Sequence, residues 1–192
     1  DFISDTYSGN AGFGEVERKV YNDFITAQNG IKITIGSGIR DFQMATRGLS
    51  MWFGEEGLTG SIDISTLEDG YLRMWVRGSR AGMSFIYLIK DDTDNDARTS
   101  VVTSYTIKQA NTWEEVRVPL TNIVYPGMLD TEYVTKMEIR TGYGQFNWAY
   151  AYTDEKWLNT GDVLEIASIT ITEGKPISPF GIDNDTSDEG GS

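Results

Sequence analysis

The 192-residue sequence lacks two side chains on which much protein chemistry depends, because it contains no cysteine and no histidine. Without cysteine, disulfide frameworks, thiolate nucleophiles and thiolate zinc sites are excluded. Without histidine, serine–histidine–aspartate triads and imidazole metal sites are excluded as well. Any catalysis would therefore have to use carboxylates, tyrosine, lysine or arginine.

Positive charge is also scarce, since 16 lysine and arginine residues stand against 29 aspartate and glutamate residues, a net charge of −13. Nucleic-acid backbones and anionic membrane surfaces both require a basic footprint, so neither is expected as a partner. No apolar run approaches the roughly 18 to 20 residues of a membrane helix, and residues 1–5 lack the features of a signal peptide. We expect a mature or excised piece of a longer protein.

What the sequence does contain is apolar and polar alternation with a period of two, which predicts β-strands. Short turns rich in glycine and aspartate separate these segments. About ten strands in a chain of this length predict an all-β fold, an antiparallel β-sandwich of the jelly-roll type forming a single domain. The predicted strands are 16–22, 31–35, 49–53, 61–64, 71–77, 84–90, 100–108, 114–119, 136–143 and 163–172, with a short helical turn at 129–134.

The composition changes near the carboxyl end. After residue 174 the chain contains two prolines, several acidic residues and a Gly-Gly-Ser end. This composition is typical of a linker or a disordered tail. We therefore divide the chain into a sandwich domain at 1–174 and an acidic tail at 175–192.

Alternation divides segment 71–77 into an apolar face and an unusual second face that combines aromatic rings with arginines. Such a face offers flat surfaces and hydrogen-bond donors. The alternative is that its rings lie under a loop with guanidinium groups stacked on them. Segment 84–90 is apolar on both sides, so the side containing Tyr87 is expected to continue the same surface. The second face of 71–77 consists of Tyr71, Arg73, Trp75 and Arg77.

A second concentration of aromatic residues lies at 143–157, the aromatic-rich segment, which holds six of the chain's 23 aromatic residues. Trp148, Tyr150 and Tyr152 alternate with alanines, so an extended conformation points the three rings the same way. We expect this strand to display its rings outward. The alternative is a hydrophobic lid that seals one end of the sandwich.

A planar ring suits a pyranose sugar, because stacking buries the C–H face while polar side chains reach the hydroxyl groups. We expect ligand binding by eleven residues: Tyr71, Arg73, Trp75, Arg77, Tyr87, Gln145, Asn147, Trp148, Tyr150, Tyr152 and Trp157.

Metal binding has one weak sequence signal, in which Asp92, Asp94 and Asp96 provide the start of a calcium loop. The glycine and the twelfth-position glutamate of an EF-hand are missing, so a solvated hairpin tip explains the pattern better. No cofactor is required, although a structural calcium ion is compatible with the sequence.

Two other functional classes stay open, namely catalysis, as a glycanase or a lyase, and protein interaction. A glycanase needs two carboxylates on either side of a sugar bond, for which Asp154, Glu155 and Glu138 are the best candidates. A polysaccharide lyase could use Tyr71 with Arg73 and Arg77 to neutralise a uronate. A structural or cell-surface protein-interaction module would instead bury Trp75 and Trp148.

Three segments carry a resemblance to a known family: 70–78 (GYLRMWVRG), 112–120 (TWEEVRVPL) and 164–172 (LEIASITIT). Together with the strand at 85–91, they resemble scaffold motifs of bacterial β-jelly-roll carbohydrate-binding modules. Over about residues 40 to 174, the resemblance implies a non-catalytic module of a secreted enzyme that degrades plant cell walls. It implies an extracellular, covalently linked domain with a glycan lying across its concave sheet. From the aromatic enrichment of the two segments we expect the ligand to be a neutral β-glucan, such as cellulose, mixed-linkage glucan or xyloglucan, and we expect a monomer.

Overall fold

The computed structural model describes residues 7–8, 14–37, 49–52, 61–67, 70–91, 103–120, 130–140 and 157–173. These residues form ten β-strands and contain no α-helix. The described part of the chain contains no helix of the length and apolar character that crossing a membrane requires. The strands are β1 (Tyr7–Ser8), β2 (Glu15–Tyr21), β3 (Gln28–Thr34), β4 (Leu49–Trp52), β5 (Gly70–Gly78), β6 (Ser84–Asp91), β7 (Thr103–Thr106), β8 (Glu114–Pro119), β9 (Val134–Arg140) and β10 (Val163–Glu173).

The strands form two five-stranded sheets in which every paired neighbour is antiparallel. Sheet A has the order β1-β4-β9-β6-β7, and sheet B has the order β2-β3-β10-β5-β8. Most neighbours within a sheet are distant in sequence, as in Greek-key and jelly-roll sandwiches. The predicted fold class, an antiparallel β-sandwich, is confirmed.

The core lies between the two sheets and is built from alternate residues of each strand. Leu72, Met74 and Val76 of β5 are fully buried there, and Phe85 and Ile139 of sheet A join the same cluster. Burial of a large aliphatic or aromatic side chain contributes about 1.5 to 3 kcal/mol relative to its exposure. The alternation therefore decides which residues of each strand face away from the core.

Strand β10 contains a β-bulge that changes this alternation. Its pairing with β5 shifts between Ala167 and Thr170, and Ser168 has a positive φ of 55°. The additional residue allows Ile166 and Ile169 to face the core, while the Ser168 hydroxyl accepts a hydrogen bond of 3.1 Å from Nη2 of Arg73.

Nine of the ten predicted strands are present, with ends that differ by up to three residues where both ends are described. The predicted strand 61–64 is wrong, because its pairing is reduced to one bridge between Ile62 and Val134. Strand β1 was not predicted. In place of the helical turn, the Tyr133 amide donates to the Asp130 carbonyl in a single tight turn at 3.1 Å. The tail at 175–192 lies outside the described residues and stays a prediction.

One glycine is required by close packing on sheet B. A Cβ atom built on Gly30 would lie 2.4 Å from the Ile166 carbonyl oxygen and 2.5 Å from the Tyr21 ring. Real side chains cannot approach a backbone oxygen so closely. Gly30 therefore allows the Tyr21 ring to lie against β3 beside the neighbouring strand β10.

We predict that Gly30→Ala destabilises the domain by about 1 to 3 kcal/mol, because the added methyl group overpacks a rigid backbone contact. Urea unfolding would measure the loss. The exposed neighbour Asn29 offers the control, and Asn29→Ala should change the free energy of unfolding by less than about 0.5 kcal/mol. Equal stability of the two variants would contradict the close contact.

Candidate functional site

The sandwich has two outward faces, one on each sheet. Side chains that do not face the core lie on these faces. Because Leu72, Met74 and Val76 face the core, Arg73 and Trp75 lie on the outward face of sheet B. On β9, Met137 and Ile139 face the core, so the polar residues between and beside them lie on the outward face of sheet A. The two faces differ in composition and in burial.

The outward face of sheet B carries an aromatic cluster that consists of Tyr21, Phe24, Trp75 and Trp113, with Ala167 packed against these rings. The Phe24 ring lies 5.9 Å from the Trp75 ring and 5.1 Å from the Trp113 ring, measured between centroids. Trp75 is only 6% exposed. The expectation that Trp75 is displayed on an open surface is wrong, because Phe24, from the connection 22–27 between β2 and β3, covers it.

Arg77 completes this cluster through stacking and an ion pair. Its guanidinium carbon lies 4.6 Å from the Trp113 ring centroid, and its Nε donates to Oε2 of Glu165 at 2.6 Å. The Tyr21 hydroxyl donates to the other carboxylate oxygen of Glu165 at 3.1 Å. The hydrogen bond to Glu165 raises the pKa of Arg77 above its usual range. The structure thus supports the loop cover of the alternative for Trp75, and the stacked guanidinium group of Arg77 lies over Trp113 and Tyr21.

The other two predicted residues of β5 differ in exposure. Arg73 is buried, which lowers its pKa, and it lies opposite Arg117 in the β5–β8 ladder. Tyr71 is half-buried. Tyr71 and Arg77 therefore keep partial access to solvent and stay predicted ligand residues.

Tyr87 and Trp157 are both removed from solvent, which corrects two further expectations. Tyr87 is 2% exposed and lies in the core, where its ring is 6.2 Å from that of Phe85. It belongs to sheet A and faces sheet B, so it does not continue the surface of Tyr71, and no sugar can stack on it. Trp157 is 8% exposed, and its backbone forms a bridge with Ser84.

The outward face of sheet A carries the β9 charged row, which consists of Lys136, Glu138 and Arg140. Nη2 and Nε of Arg140 lie 2.6 and 2.7 Å from Oε2 of Glu138, and Nζ of Lys136 lies 3.4 Å from Oε1. All three residues are buried, as is their neighbour Ile86. Charges buried in this way are stable only in a hydrogen-bonded network, so the row is a fixed polar element.

Sequence reasoning considered Glu138 only as a catalytic carboxylate and missed Lys136 and Arg140. The available signal was three charged residues at alternate positions of one strand, a pattern that is normally typical of a solvated face. Their burial depends on long-range packing. The Glu138 carboxylate pairs with both cations.

Arg140 and Trp157 are the described residues on either side of 141–156, and both pair with β6. Arg140 lies opposite Ile86 in the β6–β9 ladder, and Trp157 forms its bridge with Ser84, two residues away on β6. The residues that flank 141–156 therefore lie at the same end of sheet A. Five predicted ligand residues lie outside the described residues: Gln145, Asn147, Trp148, Tyr150 and Tyr152.

The predicted calcium ligands Asp92, Asp94 and Asp96 also lie outside the described residues, and that site stays a prediction. Within the described ranges, no group of three or more acidic side chains is placed to hold a metal ion.

Comparison with known proteins gives a consistent result. A family model for carbohydrate binding domain 30 matches residues 2–158. A crystal structure of a family 30 carbohydrate-binding module is 18% identical, with a TM-score of 0.55, over 92% of this chain and 86% of its own. The family 30 module of a cellulosomal cellulase of Clostridium thermocellum is also 18% identical, with a TM-score of 0.52, over 86% of this chain and 90% of its own.

An exo-β-agarase contains a similar domain within a longer chain. It is 12% identical, with a TM-score of 0.55, over 91% of this chain but only 24% of the agarase. No curated protein sequence matches. Because these identities are low, the structural likeness establishes the fold alone.

We predict that Trp75→Ala destabilises the domain by about 3 to 5 kcal/mol, since it leaves a cavity beneath Phe24. Denaturant unfolding would measure this loss. Tyr133 is 53% exposed, so Tyr133→Ala is the control and should have little effect on stability. A stable, folded Trp75→Ala variant would show that this ring is not part of a packed cluster.

The buried phenol of Tyr21 predicts a loss of stability at alkaline pH. Burial first, and then the neighbouring Glu165 carboxylate, raise the pKa of Tyr21 above its usual value. The stability that this group contributes is complete below the unfolded-state pKa of about 10 and declines as the pH rises above it.

Urea unfolding between about pH 8 and about pH 11 would test this prediction. Burial also raises the pKa of Tyr87 and of Tyr105, so both contribute to the alkaline decline. We expect a shallower decline in Tyr21→Phe, although this variant is less stable at neutral pH. An identical slope in both proteins would contradict the role of Tyr21.

Proposed function

The chain belongs to the carbohydrate binding domain 30 family, and from this premise we propose that it is a non-catalytic module that binds a neutral plant cell-wall polysaccharide. The proposed ligand is a β-glucan, either cellulose chains, mixed-linkage glucan or xyloglucan. The observation that carries the proposal, beyond the family match, is that Arg140 and Trp157, the described residues on either side of 141–156, lie at the same end of sheet A.

The proposed site lies on the outward face of sheet A. Trp148, Tyr150 and Tyr152 would stack on the C–H faces of successive sugar rings, and Gln145 and Asn147 would bond the hydroxyl groups. Arg140 of the charged row and Trp157 both pair with β6, and Glu138 of the row pairs with Lys136 and Arg140. A rigid polar network supports binding because its side chains are already ordered before the ligand arrives.

Charge and context support a neutral glycan. The net charge of −13 disfavours polyanionic ligands by long-range repulsion. One similar structure is a module of a cellulosomal cellulase, which supports a glucan. The exo-β-agarase that contains a similar domain makes agarose a useful second ligand to test.

We place the module in a larger secreted glycoside hydrolase, where it would hold the catalytic domain near its substrate as a covalently attached, monomeric unit. Binding of an insoluble polymer raises the effective concentration of an attached enzyme at the polymer surface. The acidic tail predicted at 175–192 would serve as the linker.

The proposal is tested by isothermal titration of the domain against soluble glucans and agarose oligosaccharides, together with an assay for newly formed reducing ends. We expect glucan binding without release of reducing ends. Turnover would support the glycanase alternative, and an eliminated product with a conjugated double bond would support the lyase. Silence towards every glycan would favour the protein-interaction module.

A variant test identifies the binding surface. We predict that Trp148→Ala weakens glucan binding about thirtyfold, which corresponds to ~2 kcal/mol, because one stacked ring is lost. The control is Tyr133→Ala, which removes an exposed aromatic ring at the opposite end of β9 from Arg140. Equal affinities of these two variants would place the binding surface elsewhere.

A further inference from the structure

A polar patch lies on the outward face of sheet B, beyond the aromatic cluster and towards the start of β5. It consists of two adjacent rows that cross strands β10, β5 and β8. Because Leu72, Val118 and Ile171 pack in the core, the residues on either side of them face outward. The first row is Thr172, Tyr71 and Pro119, and the second is Thr170, Arg73 and Arg117. We call these six residues the arginine–threonine patch.

The second row places two like charges side by side. Arg73 and Arg117 are directly opposite each other in the β5–β8 ladder, and such a pair of cations destabilises a sheet. Nη2 of Arg117 lies 2.8 Å from Oε1 of Glu115, and Nη2 of Arg73 donates to the Ser168 hydroxyl at 3.1 Å. Two planar guanidinium groups are therefore held in fixed positions beside one carboxylate and one neutral hydroxyl.

The same two rows contain two hydroxyl groups that lack a partner in the described part of the chain. Oγ1 of Thr170 and Oγ1 of Thr172 are buried and make no hydrogen bond there, although both residues keep part of their surface exposed. Buried polar atoms without a partner are rare and costly. A rotation about χ1 exchanges the hydroxyl for the methyl group, so each hydroxyl can turn outward without breaking a hydrogen bond.

Opposed cations and unpartnered hydroxyls are both departures from the rules that stabilise a sheet, and here they occupy adjacent rows. Departures of this kind are expected where a protein binds something. A ligand rich in hydroxyl groups would remove both costs, since its oxygens accept from arginine and exchange hydrogen bonds with threonine. Tyr71 is half-buried in the same patch and adds a flat ring.

We propose that the arginine–threonine patch is a second glycan-binding surface, separate from the site proposed on sheet A. Tyr71 stacks on a sugar ring there, while Arg117 and the two threonine hydroxyls bind the hydroxyl groups of the sugar. This inference rests on the proposed function. Because the two sheets face opposite ways, one domain would hold two polysaccharide chains, which increases its avidity for a polymer surface.

The test maps the binding surface on the whole chain by NMR, following backbone amides during titration with oligosaccharides of cellulose, mixed-linkage glucan and agarose. We expect saturable shifts at 70–73, 115–119 and 168–173, because these segments surround the patch. Resonances elsewhere report binding at other surfaces in the same titration, so each surface has its own readout.

The variants Thr170→Val and Thr172→Val then separate binding from folding. Each should weaken binding at the patch about fivefold, because one hydrogen bond to the sugar is lost. Each should also be at least as stable as the wild type in urea, since valine replaces a hydroxyl that has no partner. The matched control is Thr112→Val, because the Thr112 hydroxyl donates to the Ala110 carbonyl at 3.2 Å. This control should keep its affinity within about twofold and gain no stability.

Shifts confined to residues outside the patch would overturn the second surface and leave the proposed function intact. Shifts confined to the patch would support the second surface and reject the site on sheet A. If no oligosaccharide causes shifts anywhere, both proposals fail. Unchanged patch affinity in both folded threonine variants, or an equal loss in Thr112→Val, would also overturn the inference.

Discussion

Burial of alternate residues between two antiparallel sheets is the constraint on which the rest of this structure depends. Each strand gives every second side chain to the core, as β5 does with Leu72, Met74 and Val76. The side chains between them have only the outward faces to occupy. Function in such a sandwich therefore depends on what covers or leaves open these two faces.

The side chains of the two outward faces are packed in different ways. On sheet B, Phe24 covers Trp75, and the ion pair of Arg77 with Glu165 closes the side of the cluster, so the face is largely a second small core. On sheet A, the buried carboxylate of Glu138 pairs with both Lys136 and Arg140. Removal of one partner from a buried ion pair is costly because it leaves the others uncompensated.

Contacts made by the connections between strands also join the two sheets at one end of the sandwich. Arg80 lies in the connection between β5 and β6, and its side chain donates a hydrogen bond to the Trp157 carbonyl, ahead of β10. The Trp157 backbone forms a bridge with Ser84 of β6. Residues that are remote in sequence thus meet at one end of sheet A. Arg140 and Trp157, the described residues on either side of 141–156, both lie at this place.

The sequence by itself determined the fold class, nine strands and the outward direction of Arg73 and Trp75, because a period of two is a local property of one strand. It could not determine exposure. Both sides of β6 are apolar, so only the packing of the sheets shows that Tyr87 faces the core. Trp75 is covered by a residue some fifty positions away, and burial of the β9 charged row likewise depends on long-range packing. Tertiary structure decided these points because contacts between distant segments leave no periodic signal in the sequence.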